Sequence, residues 1–322
     1  MASTYLAPDK TTQLLSDLEV RAAWLYYIEG LTQERIAHVM TISRAKVIRL
    51  LAAARDGGIV RIRIEGRGTE QIALERKLVV AFDLSDAIVV PAPSDDAEIP
   101  TVVGHAAGTY LSDQMRDGLS LGVGWGATLN MSLKALYSPP FARLSVISLL
   151  GGMTHSRAVN PSAVARRMAD ALGADCFQLT APLFVADGEM RAALWAEPGL
   201  HELLERARRV DLALVSVGDV SKEATLFREG MLPQSQLSSL RKAGAVGDVL
   251  CHFIDTEGRI VDHPAKQRVI AVGLPDLRRV PKIVIASGGR RKVGAIRAAL
   301  KAITVSVLIT DEAAARGLLD MR

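Results

Sequence analysis

A chain of 322 residues, about half of them apolar, is long enough to bury the cores of two domains. Its net charge of +4, with 39 basic against 35 acidic residues, marks no partner until it is located, and aromatics at 4% disfavour a base-stacking surface for single-stranded nucleic acid. Two cysteines, Cys176 and Cys251, exclude a disulfide framework or a thiolate zinc cluster and read as buried thiols of a reducing compartment.

The opening stretch "MASTYLAPDK" lacks a basic segment followed by an apolar one, so no signal peptide is expected. No apolar run reaches the length of a membrane-spanning helix, and a soluble cytoplasmic protein is expected.

The first elements are helical. Residues 14–29 put Leu18, Ala22, Leu25 and Ile28 near one face, with Gly30 as the stop. "LTQERIAHVM" follows as a short helix with Thr32 at its N-cap and Arg35, not a glutamate, three residues on. "TISRAKVIRLLAAARDGG" reads as a third helix, capped by Ser43 and ended at Gly57-Gly58. "IVRIRIEG" (59–66) alternates apolar and basic residues as a half-exposed strand does, and Gly66 and Gly68 suggest a domain boundary, giving residues 1–66 and 67–322.

From there strands and helices alternate. Apolar runs at 87–91, 119–124, 144–150, 211–217, 269–274, 282–287 and 305–310 read as strands. Amphipathic segments such as "PSAVARRMADALG" and "GLHELLERARRV" lie between them. Continuous Val/Ile/Leu runs imply strands covered on both faces, hence an α/β domain with a mainly parallel sheet.

Residues 33–52 carry the pattern of a helix-turn-helix of the winged type. Ala37 allows close helix contact, Ile42 plugs the turn, and Val47 and Leu50 face inward. Ser43, Arg44, Lys46 and Arg49 are left on the outer face. Between 32 and 68 eight basic residues (Arg35, Arg44, Lys46, Arg49, Arg55, Arg61, Arg63, Arg67) stand against three acidic ones (Glu34, Asp56, Glu65). The charge excess is therefore concentrated where phosphates would be neutralised. Arg44 and Arg49 are assigned to base edges, and Thr32, Gln33, Ser43 and Lys46 to the phosphate backbone of double-stranded DNA. Thr41 occupies a turn position often filled by glycine, where a left-handed backbone is strained. The plainer alternative is a small helical bundle with a solvated basic face.

"GVGWGATL" (122–129) joins a strand to a helix through three glycines. Such a turn can present free amides to an anion, and Thr128 adds a hydroxyl. It is neither the dinucleotide fingerprint nor a P-loop, and a turn without ligand remains the alternative. Further pieces fall at predicted strand ends: "LLGGM" (149–153) with Arg157 and Asn160, "SVGD" (216–219), "AVGDVLCHFIDTEG" (245–258) and "SGGRRKVGAI" (287–296). Carboxylates accept sugar hydroxyls and a lysine pairs with a phosphate or hydroxyl, so these pieces describe a pocket for a small sugar, polyol or its phosphate. Asp248 and Asp255 could instead hold turns, and Lys292 could be a solvated lysine. His105, His155, His252 and His263 show no metal-ligand spacing, and no metal or cofactor is expected.

Taken in order, "LTQERIAHVMTISRAKVIRLLAAARDGGIVRI", "GVGWGATL", "LLGGM", "AVGDVLCHFIDTEG", "SGGRRKVGAI" and "VLITDEAAARGLL" resemble the SorC family of sugar-responsive bacterial transcription regulators, from about residue 20 to the end. The resemblance implies an N-terminal DNA-binding domain and a C-terminal effector domain similar to sugar-phosphate isomerases. It implies a homodimer or homotetramer, with Gly122, Gly124, Trp125, Gly126, Ala127 and Thr128 at the effector's phosphate, Gly152 nearby, and Asp248 and Lys292 near its sugar. Trp125 stands where some members carry a small residue.

Two functions follow from different classes. One is a non-catalytic, effector-controlled regulator of a carbohydrate or polyol catabolic operon, with repression relieved by the effector as the expected sign and activation as the alternative. The other is a sugar-phosphate isomerase or deaminase with an appended helical domain, for which Asp248 and His252 would be the acid–base candidates. In a third reading the C-terminal half serves only to oligomerise.

Overall fold

The computed structural model describes residues 10–62, 68–137, 139, 141–153 and 160–321, with backbone alone for 10–16. It divides into two compact units, Met1–Ile64 and Glu65–Arg322.

Among the described residues the first unit has three helices: α1 (Lys10–Tyr27), α2 (Gln33–Met40) and α3 (Arg44–Asp56). Each starts or stops where local chemistry requires. Thr32 Oγ1 accepts the Arg35 amide at 3.2 Å, so the backbone of Arg35 supplies the cap whatever its side chain is. Ser43 Oγ accepts the Lys46 amide in the same way, also at 3.2 Å. Gly30, at φ 69°, turns the chain out of α1. Thr41 is left-handed at φ 55°, ψ 44°, and closes α2. The core gathers Ala22, Leu25, Ile36, Val47, Leu50, Leu51 and Ala54, with Leu18, Ala37 and Ile42 packed on its margin.

Two expectations fail here. Ile28 lies past the end of α1 and is 66% exposed. The strand expected at 59–66 does not form over 59–62, because the Val60 amide bonds back to the Ala54 carbonyl and folds the segment onto the end of α3. Residues 63–66, with Arg63, Glu65 and Gly66, lie outside the described residues, as does Arg67.

Among the described residues the second unit has ten strands: β1 (Asp86–Val90), β2 (Ser120–Val123), β3 (Ser145–Ser148), β4 (Asp175–Phe177), β5 (Leu212–Val215), β6 (Val217–Asp219), β7 (Gly247–Val249), β8 (His252–Ile254), β9 (Lys282–Ala286) and β10 (Val307–Asp311). Seven form one parallel sheet in the order β1-β10-β9-β5-β2-β3-β4. Every residue of β5 and β10 is buried, as a sheet covered on both faces requires. The remaining three form a small antiparallel sheet, β6-β7-β8.

The run 269–274 is not a strand. It makes single bridges, Val269 to Phe184 and Ala271 to Leu150, before Gly273 and Pro275 start the short helix Leu274–Leu277. The sequence reading did not find β4, which has only three residues, or the antiparallel sheet. Among the described residues no helix is long and apolar enough to cross a membrane.

Candidate functional site

In an open parallel sheet, ligands bind beyond the carboxyl ends of the strands, where loops from neighbouring strands converge. Here the segments following β2, β5 and β9 do so. Residues 125–128, 216–219 and 291–292 line one cavity of about 150 Å³, together with Asp248 of β7, Pro100 and the segment 223–228 except Phe227.

The helix Ala127–Ser132 is set by two glycines that the sequence reading passed over. Gly104 and Gly108 are one turn apart on the helix Ile99–Gln114. A Cβ on Gly104 would sit 2.5 Å from the Thr128 carbonyl oxygen, and one on Gly108 2.2 Å from that of Ser132. The two helices touch backbone to backbone, which fixes the loop before Thr128. Gly126 itself, at φ 124° and ψ 166°, holds a conformation that side-chain-bearing residues avoid.

Not every predicted effector residue arrives. Trp125, Gly126, Ala127, Thr128, Asp248 and Lys292 line the cavity; Gly122, Gly124 and Gly152 do not. Gly122 lies within β2, where a Cβ would press on Leu149 and Val210. Gly124 faces Leu250, and a Cβ on Gly152 would meet the Ser162 hydroxyl. These three are glycine because neighbouring groups occupy the space. Trp125 is 8% exposed. Asp255 holds a turn, its Oδ1 accepting the Glu257 and Arg259 amides at 2.8 and 3.0 Å. Asn160 caps the helix Pro161–Leu172. Arg157 and His155 lie outside the described residues.

The charges at the cavity are close and mostly buried. Asp248, 4% exposed, accepts the Cys251 amide on Oδ2 at 2.9 Å. Burial pushes its carboxyl up to about 6, against the pull of that amide and of the Lys292 ammonium; nearby Asp219 raises it further. Lys292 is half-buried and donates from Nζ to the Val217 carbonyl at 2.9 Å. Burial lowers its pKa, and Asp219 and Asp248 partly restore it. Asp219, 7% exposed, accepts the Ser221 hydroxyl. At the rim Arg291 pairs with Glu223 at 3.7 Å, and Arg228 with Glu229 at 3.3 Å. The sequence singles out "SVGD" as a strand end but not Asp219 within it, nor Glu223, Arg228 and Arg291. No local pattern joins them to the loop at 122–128.

Asp248 also governs its own hairpin. Leu250 and Cys251, at φ 50° and 63°, are two consecutive left-handed residues joining β7 to β8, a turn that usually takes Asn-Gly. The bond from Asp248 to the Cys251 amide and the burial of both turn residues offset that strain.

The Asp248–His252 pair that acid–base catalysis would need is not assembled. His252 sits on β8 opposite Val249, and its Nε2 lies 3.0 Å from the Val272 carbonyl, to which it must donate. Burial lowers its pKa to about 4. It does not line the cavity.

In the first unit, Thr32, Ser43, Arg44 and Arg49 are exposed, and Gln33 and Lys46 are half-buried. Thr32, Gln33 and Arg44 border one shallow depression. Ile48, 45% exposed, stands one turn beyond Arg44 on α3; an apolar side chain on a basic face went unremarked in the sequence.

A family model described as "Putative sugar-binding domain" matches residues 67–320. The erythritol catabolism regulatory protein EryD of Brucella abortus is 32% identical over 304 residues, 94% of this chain and 96% of that one. The deoxyribonucleoside regulator of Bacillus subtilis is 32% identical over 309 residues, 94% and 97%. The crystal structure of the full-length sorbitol operon regulator SorC from Klebsiella pneumoniae shares the fold, with a TM-score of 0.70 and 23% identity over 94% of this chain and 99% of that one. By its sugar-binding domain and its near full-length kinship to bacterial regulatory proteins at 30% identity or more, the chain belongs to the SorC family of bacterial transcriptional regulators.

Proposed function

We propose that the protein is an effector-controlled transcription regulator of a carbohydrate or polyol catabolic operon. In this reading α2 and α3 form a helix-turn-helix, with α3 in the major groove. Arg44 and Arg49 read base edges, Ile48 meets an apolar base edge such as the thymine methyl, and Thr32, Gln33, Ser43 and Lys46 hold phosphates. The second unit senses a small polyhydroxylated metabolite, free or phosphorylated, and oligomerises. A two-fold operator requires at least a dimer.

The observation that carries the proposal is the convergence of Asp219, Asp248 and Lys292 with the loop 125–128 at one cavity beyond the strand ends. Carboxylates and an ammonium in one enclosed space suit hydroxyl groups, which both donate and accept. The placement of His252 on a backbone carbonyl, away from that cavity, supports sensing over turnover.

Coupling between the sites is a free-energy difference, typically about 1–3 kcal/mol, so effector should change operator affinity by roughly 5–150-fold. Operator binding by gel shift, with and without a panel of sugars, polyols and their phosphates, tests this. A response to one member supports the sensor, and repression relieved by effector is the expected sign. Turnover of a sugar phosphate by the purified chain would favour the isomerase reading instead.

A further inference from the structure

Resting on that reading, we infer that the effector is an uncharged polyol or sugar of about four to five carbons, not its phosphate ester. Three observations lead there: the size of the cavity, its charge balance, and one carboxylate oxygen that has no donor.

The cavity measures about 150 Å³. A void of about that size holds a benzene molecule, and sites for drug-sized ligands begin near 300 Å³. A four-carbon polyol, with about eight heavy atoms, is close to that limit, and a phosphoryl group would add roughly half as many again.

The charges lining the cavity balance: Asp219, Glu223 and Asp248 stand against Arg228, Arg291 and Lys292. Each cation lining the cavity already has an oxygen partner: Lys292 on the Val217 carbonyl and in the field of Asp219 and Asp248, Arg291 on Glu223, Arg228 on Glu229. Ala127 brings no charge to the glycine loop. A phosphate dianion entering here would meet as many carboxylates as cations, with no net positive charge to offset its own, which penalises binding.

The third observation concerns Asp248, whose Oδ2 is taken by the Cys251 amide. Its Oδ1 lies over Gly218, where a Cβ would come within 2.0 Å, and accepts no hydrogen bond among the described residues. A carboxylate 4% exposed on the wall of a cavity needs a donor. A hydroxyl supplies one; a phosphate dianion has none to give.

The test is calorimetric titration of the full-length chain at pH 7.5 with four- and five-carbon polyols and aldoses, their terminal phosphates, six-carbon analogues and inorganic phosphate. A free four- or five-carbon compound should bind at least 10-fold more tightly than its phosphate. Asp248→Asn keeps an acceptor for the Cys251 amide and removes the charge. It should weaken the free polyol by on the order of 10-fold or more, since hydrogen bonds to charged groups contribute about 1.5–3 kcal/mol, and strengthen any phosphate. An unchanged melting transition for the unliganded variant shows that the fold survives. If its fold is lost, the wild-type ranking alone decides. Tighter binding of a phosphate or of a six-carbon compound overturns the inference and leaves the sensor reading standing. Silence from every compound overturns the sensor reading itself.

Discussion

The two units handle charge in opposite ways. On α3, Arg44 and Arg49 stand in solvent on a helix whose inward face, Val47, Leu50 and Leu51, is entirely apolar. In the second unit Asp219, Asp248 and Lys292 are drawn into the protein among one another, and burial shifts the pKa of Asp248 up and that of Lys292 down. Exposed charges attract a large polyanion over a distance and lose strength with salt. Buried ones recognise a small molecule by pairing and are scarcely screened. A change at either place should therefore leave a different signature, and the comparison can be broken at both ends.

The largest effect is expected from Lys292→Ala. Removing one partner from a buried group of charges costs about 3–5 kcal/mol of folding stability, because the carboxylates it faced stay buried. An effector hydroxyl that loses its bond to the ammonium forfeits about 1.5–3 kcal/mol, so effector affinity should drop by on the order of 10-fold or more, while operator affinity without effector is unchanged. Titration calorimetry and gel shift on the same preparation measure the two. Lys292→Met, which keeps the length of the stem, separates loss of charge from loss of packing. Equal loss of DNA binding in both variants would defeat the division of labour.

Next in size is the response of stability to pH. Asp248 rises from 3.8 to about 6 on folding, so between those values the folded chain holds a proton that the unfolded chain has lost, and stability falls as pH rises. His252 falls from 6.5 to about 4, so in nearly the same window the unfolded chain holds the extra proton, and stability rises with pH. Each contributes about 1.4 kcal/mol per pH unit, and with opposite signs the two nearly cancel. Urea unfolding from pH 4 to 6 should show Asp248→Asn gaining stability as pH rises and His252→Gln losing it, each by about 2–3 kcal/mol across the window. Parallel curves for both variants would mean that the two groups do not titrate in the folded state as their burial requires.

Arg49→Ala should weaken operator binding by about 1–3 kcal/mol and leave effector affinity unchanged. Its salt dependence decides the role: a slope reduced by about one marks a phosphate contact, an unchanged slope with relaxed sequence preference marks a base contact. No loss at all would return this face to a solvated helix.

Legibility in the sequence follows the same division. Helices α2 and α3 were readable because cap, apolar face and stop are all local: Thr32 and Ser43 cap where expected, and Val47 and Leu50 turn inward. The parallel strands other than the three-residue β4 were readable as apolar runs, and the equally apolar run 269–274 is buried through isolated bridges without being a strand. The cavity was only half legible. "GVGWGATL" looks like one loop, yet Gly122 and Gly124 serve packing while Gly126 alone has the backbone that only glycine tolerates. Asp219 and Arg291 join that loop through a sheet order, β9-β5-β2, that brings together strands some ninety and seventy residues apart in sequence. Periodicity carries no information about such neighbours.

The smallest effect tests the one place where the first unit departs from easy backbone chemistry. Thr41 is left-handed, which for a β-branched residue is strained by roughly 1–2 kcal/mol, and its side chain is exposed, so little packing would be lost with it. Glycine removes the strain but adds freedom to the unfolded chain, which returns part of the gain. Thr41→Gly should therefore raise stability by up to about 1 kcal/mol. In the full chain this appears as up to about 5-fold greater protection of α2 and α3 amides from hydrogen exchange, with none at the effector cavity. Lower protection would mean that Thr41 stabilises the turn it strains. Raised protection with weaker operator binding would place its hydroxyl among the DNA contacts, where a strained residue is retained for what it touches.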